Sequence, residues 1–264
     1  MSFEYAKEDP VWAKDRDFSA YGNVGLQNAD EYPFSGWSPI THRGSALLPC
    51  YPDGPDANTL PDVGFCTLTP GTDPTNIANY TPMNASLNAN SNEMMYLQTG
   101  IERESVFVSG NVDLTDNLRF RSDFQYNKRS TQQQIAGYPY QSSTFGTPLS
   151  GDSFFTPTPG TDLNFRRRLW EMPRRTQSNL ETFRIAAGFE GTFQIADRYF
   201  DWDVGANLNR NDSTKIARGD ASLLATEAAL GASWFNPATG RVECGSAAAP
   251  TPYGTHSPLP MLVP

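Results

Sequence analysis

The stretch Val106-Phe107-Val108-Ser109-Gly110-Asn111-Val112-Asp113-Leu114-Thr115-Asp116-Asn117-Leu118-Arg119-Phe120-Arg121-Ser122-Asp123-Phe124-Gln125-Tyr126-Asn127 decides the fold. Its even positions are apolar or small up to the turn signal Thr115-Asp116-Asn117, and mostly so again through Leu118, Phe120, Phe124 and Tyr126. After the turn every odd position is polar: Arg119, Arg121, Asp123, Gln125 and Asn127. A period of two sends the two sets to opposite faces of a strand. Two such runs around a tight turn read as a β-hairpin.

Working outward, the same design recurs downstream. Phe183, Ile185, Ala187, Phe189, Gly191 and Phe193 alternate with Arg184, Ala186, Gly188, Glu190, Thr192 and Gln194. After a turn near Ala196-Asp197-Arg198, the residues Phe200, Trp202, Val204, Ala206 and Leu208 alternate with Asp201, Asp203, Gly205, Asn207 and Asn209. The hairpins are expected over about 104–128 and 181–211, with a further strand near Ser2–Lys7. An ordinary half-solvated antiparallel sheet also alternates. Three details favour a membrane wall: strand length, aromatics near strand ends (Phe120, Tyr126, Tyr199, Phe200, Trp202), and short turns set against long connections at about 10–96, 130–179 and 212–264. Outer-membrane barrels carry short turns at one rim and long loops at the other.

Composition agrees. Of 264 residues, 38% are hydrophobic and 19% charged, with a net charge of -9. That balance argues against nucleic acid as a partner, which needs a basic footprint. No apolar run is long enough for a transmembrane helix. A barrel escapes that test, because its strands are apolar on one side only.

The first connection is acidic, with 12 Asp+Glu against 4 Lys+Arg over residues 1–100, and carries aromatics such as Tyr32-Pro33-Phe34 and Trp37. Its Asn-rich run from Asn84 to Asn92 reads as an exposed loop tip. The second holds Arg166, Arg167, Arg168, Arg174 and Arg175. These either contact an anion such as lipopolysaccharide or pair with nearby carboxylates such as Glu171 and Glu181, the second reading being favoured. The third contains a helix candidate capped by Asp220 and ended by Gly231, then a Pro- and Ala-rich tail. Cys50 and Cys66 bracket a patternless stretch and are the candidate disulfide, with Cys244 left over. His42 and His256 make no metal-ligand spacing with them, so no metal site is expected. No nucleophile, P-loop or cofactor motif occurs. The carboxylate pairs Asp201/Asp203 and Glu102/Glu104 read as water-facing strand positions rather than a glycosidase dyad. The chain therefore reads as a non-enzyme without catalytic, cofactor or metal residues.

Five segments resemble the TonB-dependent outer-membrane receptors. They are Asp9-Pro10-Val11-Trp12-Ala13-Lys14-Asp15-Arg16, Glu102-Arg103-Glu104-Ser105-Val106-Phe107 with its turn Asp113-Leu114-Thr115-Asp116-Asn117-Leu118, Phe183-Arg184-Ile185-Ala186-Ala187-Gly188-Phe189, Trp202-Asp203-Val204, and Arg241-Val242-Glu243-Cys244-Gly245. The resemblance implies part of a barrel of about 22 strands, which imports a siderophore, vitamin or oligosaccharide with energy relayed by TonB. A signal peptide, TonB box, plug and terminal aromatic strand are not recognised. The expectation is an all-β, partial transmembrane barrel of about five strands in the bacterial outer membrane, with long extracellular loops over 1–264. Outer-membrane lipid is its partner, and the TonB system engages only through the absent plug. Arg119, Arg121, Asp123, Asp201 and Asp203 are then lumen-facing, and Val108, Phe120, Phe124, Phe189, Trp202 and Val204 lipid-facing. A soluble secreted β-sandwich, a carbohydrate-binding or adhesion module, is the alternative.

Overall fold

The computed structural model describes residues 1–21, 34, 36–51 and 62–249. Tyr32-Pro33, His256 and the tail from 250 onward lie outside the described residues. Strands take 56% of the described residues, more than double the roughly 20–25% of an ordinary soluble domain, so the protein is mostly antiparallel β. They are β1 (Ser2–Glu8), β2 (Val11–Trp12), β3 (Ser45–Tyr51), β4 (Asp62–Leu68), β5 (Tyr80–Pro82), β6 (Tyr96–Gln98), β7 (Gly100–Thr115), β8 (Leu118–Ile135), β9 (Pro139–Gln141), β10 (Phe165–Arg168), β11 (Arg174–Ile195), β12 (Arg198–Arg218), β13 (Ser233–Asn236) and β14 (Arg241–Cys244). Three short helices join them: α1 (Asp17–Ala20), α2 (Ser142–Phe145) and α3 (Leu223–Leu230). The chain forms two compact units.

The first unit comprises Met1–Trp12, Tyr96–Gln134 and Arg175–Arg218. Its main sheet has the order β1-β7-β8-β11-β12. Pairing between β11 and β12 runs without a slip from Arg175↔Arg218 to Ile195↔Arg198. Unbroken register keeps Phe183, Ile185, Phe189, Phe193, Phe200, Trp202, Val204 and Leu208 on one face, because a one-residue slip would invert the strand. The β11–β12 turn places Ala196 and Asp197 at φ 48° and 65°, the left-handed pair that a two-residue hairpin turn requires. Gly191 lies opposite Trp202. A Cβ at Gly191 would stand 2.5 Å from the Asn117 carbonyl and 3.0 Å from the Trp202 ring, so the glycine makes room for both.

The strands outrun their expected bounds. The hairpins extend over 100–135 and 174–218 rather than 104–128 and 181–211. Beyond Tyr126 and Leu208 the apolar face turns polar except at Ile216, so the alternation ends while the backbone pairing continues. The sheet does not close into a barrel among the described residues: β1 and β12 stand at its two ends.

The second unit comprises Ala13–Met95, Ile135–Arg174 and Gly219–Pro264, the segments expected to be long loops. That expectation is corrected here. They build an antiparallel sheet of order β5-β4-β3-β10-β9 with the β13–β14 hairpin. A core of Ala46, Leu48, Cys66, Leu68, Tyr80, Tyr140, Leu149, Leu163, Phe165 and Leu230 packs beside it. Pro82 and Pro139 occupy the two edge strands β5 and β9, and Pro49 sits where the β3–β4 register shifts. These are the positions in a sheet that tolerate a missing N–H. The Asn-rich run is not an exposed tip. Asn84 and Asn90 each cap a turn by accepting from the N–H two residues on, and Asn90 is buried with its Nδ2 donating to the Ala20 carbonyl. The α3 helix is capped by Ser222, whose hydroxyl accepts from Ala225 N, and not by Asp220.

Cys50 and Cys66 are joined by a disulfide with Cα atoms 6.2 Å apart, and Cys244 is a buried thiol. Closing a loop of sequence separation 16 removes about 3 kcal/mol of unfolded-chain freedom on the chain-entropy estimate. Reduction, or the double substitution Cys50→Ala/Cys66→Ala, is expected to lower the opening free energy of β3 and β4 by about that amount. Amide hydrogen exchange of the two strands reads it, and unchanged protection would refute it.

Candidate functional site

The two faces of the first unit's sheet carry its chemistry. On one lie Val108, Phe120, Phe124, Phe189, Trp202 and Val204, held together by cross-strand pairs Val108↔Phe124, Phe189↔Val204 and Gly191↔Trp202. Ring contacts join β8 to β11 at Phe120–Phe189 (5.2 Å) and Phe124–Phe183 (5.6 Å), so all four strands share this face. Phe193 stacks on Phe200 nearer the turn. These side chains are not a buried core. Val112 is 57% exposed, Leu208 62% and Val204 59%. A contiguous apolar surface of this extent is the mark of a partner or a membrane.

The opposite face is ionic near the turns. Arg119 Nε donates to Asp113 Oδ1 at 2.5 Å, and its Nη1 lies 3.5 Å from Glu190. Arg121 bridges Glu190 at 3.4 Å and Asp203 at 3.6 Å. The network thus crosses four strands, with Glu190 at its centre. Arg119, Arg121 and Asp203, three of the residues expected to face a lumen, are brought together on one face. Asp201 lines the same depression, opposite Thr192, without joining the network. Asp123 lines a neighbouring depression with Arg121, Arg184 and Asn207. Glu190 was legible only as one more polar position, because its role depends on which strands are neighbours. Glu102 and Glu104 share the face of Val106 rather than the ionic face. They lie beyond the apolar band, where that face is also polar.

In the second unit the arginine cluster is structural. Arg167 makes two hydrogen bonds to Glu171 and one to the His42 carbonyl. Arg168, only 8% exposed, donates to the Ile40 and Gly137 carbonyls and to Ser38 Oγ, and burial draws its pKa down. Arg166 bonds Ser45 Oγ and covers the Phe65 ring at 3.6 Å, while Arg174 bonds the Ala136 carbonyl. Arg175 belongs to the first unit and meets Gln134. Glu181 is not among their partners: it lies opposite Asp212 on the long hairpin.

No family model and no curated protein matches the chain.

Two measurements test these assignments. Arg121 and Glu190 are both more than one-third exposed, so a double-mutant cycle of Arg121→Gln and Glu190→Gln is expected to give a coupling of about 0.2–1 kcal/mol. A zero coupling would dissolve the network. His42 packs against Trp170 at 5.5 Å. Burial, then Arg43 and Arg167, hold its pKa below the ordinary 6.5, against the opposing Glu93 and Glu171. A depressed folded-state pKa means the folded protein binds fewer protons, so stability is full above about pH 6.5 and falls as pH drops through the folded value. His42→Gln is expected to remove this part of the pH dependence, and a wild-type profile flat below that pH would refute it.

Proposed function

We propose that the first unit is part of the wall of a transmembrane β-barrel in the bacterial outer membrane, with its ionic face toward the lumen. The chain is then part of a TonB-dependent receptor that takes up a scarce nutrient such as a siderophore, vitamin or oligosaccharide. The observation that carries this reading is the height of the apolar band. It spans nine residues on β7 (Val106–Leu114), on β8 (Leu118–Tyr126) and on β12 (Phe200–Leu208). A tilted strand needs about 9–11 residues to cross the hydrocarbon core. Beyond the band both faces are mostly polar, with Ile101, Leu180 and Ile216 scattered among polar residues, as suits a sheet that continues into water.

Connectivity supports the same reading. The chain passes between the two units at 12/13, 95/96, 134/135, 174/175 and 218/219, each at the strand ends opposite the two short turns. A polypeptide woven through a membrane from one side leaves its larger segments on that side. A soluble secreted β-sandwich, whether a carbohydrate-binding or an adhesion module, accounts for the disulfide and the second unit's own core. It also requires a second apolar layer over Val112, Val204 and Leu208, which stand exposed.

Substitution separates the two. Val108→Arg, Phe124→Arg, Phe189→Arg and Val204→Arg are each expected to weaken insertion into liposomes by about 2–4 kcal/mol, whereas Asp123→Asn and Asp201→Asn are tolerated. The wild-type chain is expected to aggregate without detergent. A detergent-free soluble monomer with a cooperative melt, or the reverse substitution pattern, would overturn the reading.

A further inference from the structure

Charge on the ionic face is segregated along the strands. Near the turns Arg119 and Arg121 are both matched by carboxylates. Past the row Ser109↔Asp123, the same face of β7, β8, β11 and β12 carries no carboxylate at all. What these strands carry is Arg103, Arg129, Arg184 and Lys215 among Asn, Gln, Ser and Thr, with Ile101, Phe107, Leu180 and Ala217, while Glu4 and Glu8 share the face on the edge strand β1. In a chain with 29 acidic residues against 20 basic ones, a cationic field here is not a reflection of composition.

Three of the four cations have no carboxylate partner among the described residues. Arg103 is held by Glu4 at 2.5 Å. Among the described residues the side chains of Arg129, Arg184 and Lys215 make no hydrogen bond or ion pair. Arg129 stands directly opposite Arg103; like charges so placed repel, and the one carboxylate beside them, Glu4, is taken by Arg103. Lys215 lies opposite Ser178, whose carbonyl accepts from Thr131 Oγ1, two residues along β8 from Arg129. Arg129 and Lys215 are therefore separated by two strand spacings and about one pleat, roughly 12 Å between Cα atoms, a gap that two long side chains span. Neutral donors lie between and below them, among them Asn127, Thr182 and Asn211.

We infer that this upper part of the ionic face binds a solute bearing two or more oxyanion groups, gripped by Arg129 and Lys215 and hydrogen-bonded through its remaining oxygens to the Asn and Thr side chains. Guanidinium suits the task because its planar fork matches carboxylate and phosphate oxygens. A surface of one sign concentrates such a solute from solution, an effect that weakens as salt is added. The proposed uptake role supplies the setting, and the inference rests on it by naming the class of solute admitted to the lumen.

The test uses the full chain folded in detergent, titrated calorimetrically at low ionic strength with citrate, with pyrophosphate and with maltose as a neutral control. Citrate or pyrophosphate is expected to bind, and whichever binds more tightly distinguishes a carboxylate from a phosphate solute. The double substitution Arg129→Gln/Lys215→Gln is expected to weaken it by about tenfold or more, the size of one lost charge-assisted hydrogen bond. Lys128→Gln, on the other face of the same strand, is expected to leave binding unchanged. Binding of neither anion, or equal loss in the Lys128→Gln protein, would overturn the inference. Liposome flotation of the same preparation keeps the two proposals apart: insertion without anion binding overturns this one alone, and binding without insertion overturns the barrel wall alone.

Discussion

A strand exposes alternate side chains on opposite faces, and everything in the first unit follows from that alternation being held in register. Because β11 and β12 pair without a slip along their length, the sheet separates a row of phenylalanines, valines and tryptophan from a row of arginines and carboxylates only one side chain away in sequence. Among the described residues both faces carry exposed side chains, Val112, Val204 and Leu208 on one and Arg121 and Asp203 on the other. The proposed barrel wall suits such a sheet, because a membrane is apolar against one face and a lumen wet against the other. The turns serve this end, since the left-handed Ala196-Asp197 pair sets the register and Gly191 lets Trp202 cross to the neighbouring strand.

The second unit works on the ordinary principle of a soluble domain. Its core is small and assembled from distant segments: Leu48 and Leu68, then Tyr140, Leu149 and Leu163, and finally Leu230. Tyr140 ties three of these pieces together, stacking near Phe145 and Phe165 and bonding Thr147 through its hydroxyl. Arg168 adds backbone-to-side-chain bonds that pin the residue 38–41 and 137 segments to β10. Sheet edges bearing proline and a disulfide between β3 and β4 complete a unit held by many local devices rather than by one large core.

That difference explains what could be read in the sequence. The long hairpins announce themselves because each residue type repeats at period two over nine or more positions. Their polar extensions were invisible for the same reason, since Lys128 to Gln134 and Thr214 to Arg218 show no contrast between faces. The second unit's strands are three to seven residues long and several contain proline, which ordinarily argues against a strand. Phe165-Arg166-Arg167-Arg168 looks like a basic loop until β3 and β9 are seen on either side of it. Glu190 and Lys215 could be placed on a face from sequence, but not beside Arg121 or across from Ser178, because neighbours across strands are a property of topology.

The order of the first sheet has one more geometric result. β1 is antiparallel to β7, β7 to β8 and β11 to β12, and the ring contacts between β8 and β11 advance in opposite senses along the two chains. Direction therefore reverses four times from β1 to β12, which leaves these two outermost strands pointing the same way. They cannot join each other as an antiparallel pair, either within one molecule or between two copies set side by side. Any seam that completes this sheet with uniform antiparallel pairing has to contain an odd number of additional strands.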